Sequence, residues 1–261
     1  MLSRVDLLQI AFRSFFLQAS WNFRGMMSMG FLYAIKPGLD SIWKDEGDRR
    51  IAYQRHMEYF NTNPYFSSIV MGVTLALEER LAAKEIGEDI IRDTKEGLMT
   101  ALAALGDSLF WDSWRPFVAA LALIFAFNNY LFTPLLFLAI YNVPHLYLRF
   151  GGIFWGYRLG PDVIRLLSRL HADRIRPALR YSTIVLLCYL IPNHVSLHTP
   201  FLIVNLPIEV FFIGEKIVQG VGALVIVSIA AFAYRSRIDV LMISFLLMLA
   251  ALMLYHWGIL I

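Results

Sequence analysis

Asn61, Asn63, Glu78, Asp107 and Trp111 are the residues whose types could do chemistry, and all five fall between His56 and Arg115. Asparagine amides both donate and accept hydrogen bonds, carboxylates accept strongly, and an indole offers a flat apolar face. Sugar hydroxyls and the C–H face of a sugar ring call for this mixture, as do other small polar solutes. The spacing adds detail. Asn61, Thr62 and Asn63 precede Pro64, which suits the first turn of a helix with Asn61 or Thr62 as its cap. Glu78 closes the apolar run 66–77, where a carboxylate opposes the helix dipole, so capping explains it badly. Asp107 follows Gly106 and stands just ahead of Phe110 and Trp111. On this reading Asn63, Glu78 and Asp107 lie together at the ends of broken helices. The rival expectation is architectural: Glu78, Glu79 and Asp107 cap helices or pair with arginines such as Arg80 and Arg115. Residue types alone leave both open.

Other chemistries have less behind them. No Ser-His-Asp order presents itself, and the glycines at 151, 152 and 156 are followed by no GKS or GKT, so no catalytic residue and no phosphate loop is expected. Gly152 and Gly156 instead have the small-xxx-small spacing that lets helices approach closely in lipid. His194 and His198 could share a helical face, but Pro192 and Pro200 bracket them and a third ligand is lacking, so no metal or cofactor is expected. Cys188 is the single cysteine; it cannot form an internal disulfide and reads as a small buried hydrophobe. Met26, Met27 and Met29 read as adaptable packing.

The elements that must position these residues are membrane elements. The chain of 261 residues is 58% hydrophobic, with a mean hydropathy of +0.59 and a net charge of +3. That is more apolar than a soluble domain of ordinary composition. The start, MLSRVDLLQIAFRSFFLQASW, lacks the long apolar core and cleavage site of a secretory signal. It places Leu7, Leu8, Ala11, Phe12, Phe15 and Ala19 near one helical face, as in a helix on a membrane surface or a partner. Residues 20–38, punctuated by Gly25, Gly30 and Gly38 and with Pro37 restricting Lys36, read as a helix, a break and a second short helix; 40–55 and 78–95 read as charged aqueous segments. Arg115–Pro116 reads as a turn or kink. Residues 117–147 contain no Asp, Glu, Lys or Arg, too long a run for one untilted span, and predict two helices joined by a tight turn at Asn128–Asn129, the second reaching about Trp155. Between 158 and 180 six arginines face two aspartates, which predicts a cytoplasmic loop rather than a nucleic-acid patch. Further spans are expected over 181–190, 217–234 and 240–257, with Arg235 and Arg237 at a second cytoplasmic turn and an irregular stretch at 201–212.

Several stretches together resemble one family, the IID membrane subunits of mannose/fructose/sorbose-class sugar phosphotransferase systems. They are SWNFRGMMSMGF, HMEYFNTNPY, GVTLALEE, GLM and GDSLFW followed by RP, in the family's order and spacing. The resemblance implies an all-α polytopic membrane protein with re-entrant and broken helices. It would form one domain over 1–261: an amphipathic and re-entrant part at 1–95, a helical core at 97–157, the arginine-rich loop at 158–180 and C-terminal spans at 181–261. It implies a bacterial inner-membrane location and an interlocked IIC subunit of similar fold in inverted orientation. IIC–IID pairs would assemble into a higher oligomer, in contact with membrane lipid and not with nucleic acid. A hexose-type sugar would bind at the shared interface and cross by an elevator-like movement. Soluble IIA and IIB proteins would pass phosphoryl groups to it, with no phosphoryl-transfer residue on this chain. The sequence departs from the family at Ile69, where Pro is common, at Thr100–Ala101, where Gly-Pro is usual, and at Ala104, where Gly is common. Those changes predict straighter helices near the site. A non-transporting regulatory or assembly subunit that kept the fold is the alternative.

Overall fold

The computed structural model describes residues 1–168 and 171–194, together with a few helical positions between 242 and 256. The expected spans at 217–234 and 240–257, the stretch 201–212, Arg235, Arg237 and His198 lie outside the described residues or reach beyond them, as does the side chain of His194. The chain divides into two compact units. One is Met1–Ala122 with Leu131–Tyr181; the other is Leu123–Tyr130 with Ser182–Ile261. Among the described residues every regular element is helical, and the only extended pairings are isolated bridges from Met26 to Asn22 and Phe60.

Helix α1 is Arg4–Arg13. Ser3 and Asp6 start it by a reciprocal cap: each side chain accepts from the other's backbone N–H. Its residues buried within the chain are Leu7, Ile10 and Ala11. Leu8, Phe12 and Phe15 stay exposed, although both phenylalanine rings contact Phe150. The helix tightens at Ser14–Phe16, and a turn-rich segment follows.

Helix α2, Ser28–Ile42, replaces the expected broken pair and continues through Pro37. A helical proline leaves the carbonyl four residues back without its usual donor. Here that carbonyl belongs to Tyr33, and the Arg13 guanidinium reaches it at 3.4 Å. Helix α3, Glu46–His56, carries Asp45 as its cap, acids in its first turn and Arg55 and His56 in its last, as the helix dipole favours.

Helix α4, Ser67–Ala82, begins three residues after Pro64. The expected cap by Asn61 or Thr62 is therefore corrected: the Asn63 carbonyl accepts from Phe66 and Ser67 N–H, and residues 64–66 form a turn. The segment 78–95, expected to be aqueous, is mostly exposed, but it ends α4 and begins α5, and Glu78, Ile91 and Lys95 within it are buried.

Helix α5, Glu88–Gly106, passes into a π-helical stretch, Asp107–Trp114, and then into α6, Arg115–Phe127. These form one continuous 40-residue helix, the one helix among the described residues long and apolar enough to cross a membrane. Of the turn or kink expected at Arg115–Pro116, the turn does not occur: the helix runs on through both residues. Pro116 follows the wide π turns, where a missing N–H disrupts the ladder least, and the Ser113 hydroxyl donates to the Ser108 carbonyl at 2.8 Å. The turn expected at Asn128–Asn129 is present, with Asn129 at φ 60°, a conformation asparagine tolerates well.

Helix α7, Thr133–Leu159, opens with Pro134 and stops at Gly160, whose φ is 54°. It crosses α4 at very short range. An added Cβ on Gly72 would lie 2.4 Å from the Ile153 carbonyl oxygen, one on Gly156 2.3 Å from that of Ile69, and one on Gly152 2.5 Å from the Ser68 hydroxyl. The small-residue spacing thus serves close backbone approach. The expected arginine loop is largely helical: α8 is Val163–Ser168, and α9, Ala172–His194, already begins within it. Cys188, expected to be buried, is exposed.

Candidate functional site

The segment before α4 is held in place at several points. The Met27 N–H donates to the Phe60 carbonyl and Phe60 N–H to that of Gly25, at 2.9 and 3.2 Å. The Thr62 hydroxyl donates to the Met99 carbonyl on α5 at 2.9 Å. This delivers Asn63, 1% exposed, to the end of α5. Its Oδ1 accepts from Tyr65 N–H at 3.0 Å, which leaves Nδ2 to donate to Asp107 Oδ1 at 2.9 Å. Gly106 makes room for it: an added Cβ there would sit 2.4 Å from the Asn63 Cβ and Cγ. Asp107 itself is exposed.

Trp111, on the same π stretch, is 39% exposed. Its ring lies 5.7 Å from that of Tyr65, and the Arg115 guanidinium lies 5.7 Å from the ring's centre. Tyr65 ties the group to α7. Its hydroxyl bonds that of Tyr141 at 2.9 Å, and its ring stacks on His145 at 4.5 Å. The Asn142 amide donates to the Leu138 carbonyl and accepts from His145 Nε2–H at 2.6 Å. The result is an amide–carboxylate pair beside an aromatic platform, suited to hydroxyl groups and an apolar ring face. Among the described residues no three His, Cys, Asp or Glu side chains converge as metal ligands.

Of the five residues singled out from the sequence, Asn63, Asp107 and Trp111 come together. Asn61 is exposed nearby, and its backbone N–H faces Met99 Sδ at 3.0 Å. Glu78 does not join them. It lies inside α4, 11 residues beyond Ser67, about 16 Å along the axis at 1.5 Å per residue. Its expected place at a helix end is corrected, and the rival expectation of an arginine partner holds with another arginine, for Arg80 pairs with Glu85 at 3.2 Å and Glu78 pairs with Arg55. Fully buried, Glu78 accepts from Arg55 Nη1 at 2.5 Å, His56 Nε2 at 2.8 Å and Trp43 Nε1 at 2.8 Å. Tyr65, Tyr141 and His145 were missed. The signal for Tyr141 and His145 was the row of polar side chains every fourth residue along α7, Tyr141, His145 and Arg149, which is costly in an apolar helix. Helix α5 is unbroken across Thr100–Ala101, as expected from the departures there, and the Thr100 hydroxyl bonds back to the Glu96 carbonyl at 3.0 Å.

The Glu78 cluster carries a pH prediction. Burial holds the His56 imidazole below its ordinary 6.5, against the opposing pull of Glu78. A carboxylate can only accept, so the neutral ring carries its proton on Nε2. On acidification through 6.5 the unfolded chain takes up the proton first, so stability is full above that pH and falls toward the lower folded value. Thermal unfolding of the purified protein in detergent should show a Tm that declines below about pH 6.5, with a shallower decline in His56→Gln. A Tm that rises on acidification in this window would contradict a neutral His56.

The model of the family described as "PTS system mannose/fructose/sorbose family IID component" matches residues 1–260. The mannose-specific EIID component of Escherichia coli (strain K12) is 38% identical over 166 residues, 63% of this chain and 59% of that protein. The match therefore spans less than two thirds of that relative's length. The fructose permease IID component of Bacillus subtilis (strain 168) is 29% identical over 84% of this chain and 80% of its own. Two solved structures are similar at 28% identity. One, described only as a membrane protein, has a TM-score of 0.83 and covers 99% of this chain and 98% of its own. The other comes from the cryoEM structure of the mannose transporter ManYZ with microcin E492, with a TM-score of 0.60 and coverage of 100% and 98%.

Proposed function

The chain belongs to the IID components of the mannose/fructose/sorbose family of phosphotransferase systems, and from that premise we propose that it forms, with a IIC-type membrane subunit, the path by which a hexose-type sugar enters the cell. Soluble IIA and IIB proteins supply the phosphoryl groups. This chain binds the sugar and carries no phosphoryl group itself. The 40-residue helix crosses the inner membrane as part of a multi-pass subunit, with the arginines of 158–180 on the cytoplasmic side.

The observation that carries this reading is the Asn63–Asp107 pair beside the exposed Trp111. Asp107 accepts a sugar hydroxyl, Asn63 orients that carboxylate, and Trp111 takes the C–H face. Calorimetry on the complex coexpressed with its IIC subunit, titrated with mannose, fructose and sorbose, tests it. Asn63→Ala and Asp107→Asn should each weaken binding by about 1–3 kcal/mol while the size-exclusion profile stays unchanged. Unchanged affinity in both variants would end the assignment. The unbroken α5 at Thr100–Ala101 favours a second reading, a subunit that keeps the fold without transporting. Uptake of labelled hexoses by cells with and without the gene separates the two.

A further inference from the structure

Arg149 lies on α7, is 5% exposed, and is paired with no carboxylate among the described residues. A buried, always-charged side chain needs another explanation. Its Nη1 donates to the Ser14 carbonyl at 2.5 Å and to the Ser14 hydroxyl at 3.2 Å, at the end of α1, where the helix dipole favours a cation. Its Nη2 donates to the Pro64 carbonyl at 3.1 Å, and the guanidinium lies 4.6 Å from the centre of the Phe15 ring.

The Pro64 carbonyl and the Tyr65 N–H belong to one planar peptide group. Arg149 holds its oxygen, and Asn63 Oδ1 accepts from its nitrogen. The direction of that N–H decides which end of the Asn63 amide faces it, and so which end faces Asp107. We infer that Arg149 is a positioning residue: through the Pro64–Tyr65 peptide it sets the Asn63 amide so that Nδ2, and not Oδ1, meets the Asp107 carboxylate. The inference rests on the proposed sugar site. A lysine would keep the charge, but its ammonium lacks the planar fork that spans Ser14 and Pro64 together.

The test is a double-mutant cycle on the coexpressed complex, read by calorimetry with mannose, fructose and sorbose. Arg149→Lys should weaken binding of the preferred sugar about tenfold, and by less than about twofold in an Asn63→Ala background. Ser14→Ala, which removes an acceptor on the α1 side only, should lower the Tm and leave affinity unchanged. If Arg149→Lys fails to assemble, Ser67→Ala replaces it. Ser67 Oγ donates to the same Pro64 carbonyl at 2.8 Å, and its loss should weaken binding about threefold with the same dependence on Asn63. Wild-type affinity in the position-149 variant (or its substitute), an equal loss with and without Asn63, or an affinity loss in Ser14→Ala as large as in Arg149→Lys would each overturn the inference. If Asn63→Ala alone binds normally, or the parent binds none of the three sugars, the sugar site itself falls and the inference with it.

Discussion

Glu78→Ala is expected to lower the free energy of unfolding by about 3–5 kcal/mol, because it leaves Arg55 charged in a site that excludes water. The side chains of Arg55 and Glu78 are 7% and 0% exposed. Removal of the carboxylate strips a charged acceptor from Arg55, His56 and Trp43 at once. The remaining Arg55 contact, to Glu88 at 2.8 Å, offsets little, since Glu88 is 60% exposed and screened by solvent. Glu78→Gln keeps an acceptor and should fall in between. Replacement of both charges, Arg55→Met with Glu78→Leu, should recover more than half of the loss. Thermal unfolding and membrane yield of the coexpressed complex read all of these. A Glu78→Ala complex that melts with the parent would show that the cluster holds nothing together.

Gly72→Leu should be nearly as damaging, at about 3 kcal/mol or more, for the opposite physical reason. Its first added atom would lie 2.4 Å from the Ile153 carbonyl oxygen and 2.7 Å from the Tyr157 nitrogen. Both are backbone atoms of a regular helix, so no rotamer change can clear the space. The α4–α7 crossing must open, and the contacts of Ile69 and Val73 with the α7 backbone open with it. The expected readout is a lower Tm and a lower yield of assembled complex, with Gly72→Ala milder. Parent-like stability in Gly72→Leu would mean that the two helices can separate without cost.

Some of this was legible in the sequence. The small residues at 152 and 156 announced a close crossing, and Asn128–Asn129 announced the turn. The proximity of Asn63 and Asp107 followed from polar residues set at the edges of apolar runs. What escaped depends on contacts far apart in the chain. Glu78 was paired in expectation with a near neighbour, Arg80, whereas its cation comes from Arg55, 23 residues upstream in a segment whose charges suggested water. Arg55 and His56 close α3 on the side that meets α4, and periodicity in so polar a helix is too weak to reveal that. That a helix continues through Pro37 is hidden too, because the donor that reaches the carbonyl it leaves open, Arg13, belongs to a different helix. The π stretch has no signature in residue type. It shows only as backbone register, so Arg115–Pro116 reads as a turn or kink although the helix continues through it.

The Arg149 fork also bears on how the protein is made. A helix that enters the bilayer with an arginine near its centre meets an insertion penalty of about 2.5–3.5 kcal/mol. Helix α7 would meet that penalty if it partitioned into lipid by itself. Its acceptors, Ser14 and Pro64, are synthesised earlier and have left the ribosome when α7 emerges. Biogenesis can therefore proceed by docking α7 onto an N-terminal half already in place. The order of synthesis does for α7 what a counter-ion on the same helix would otherwise have to do.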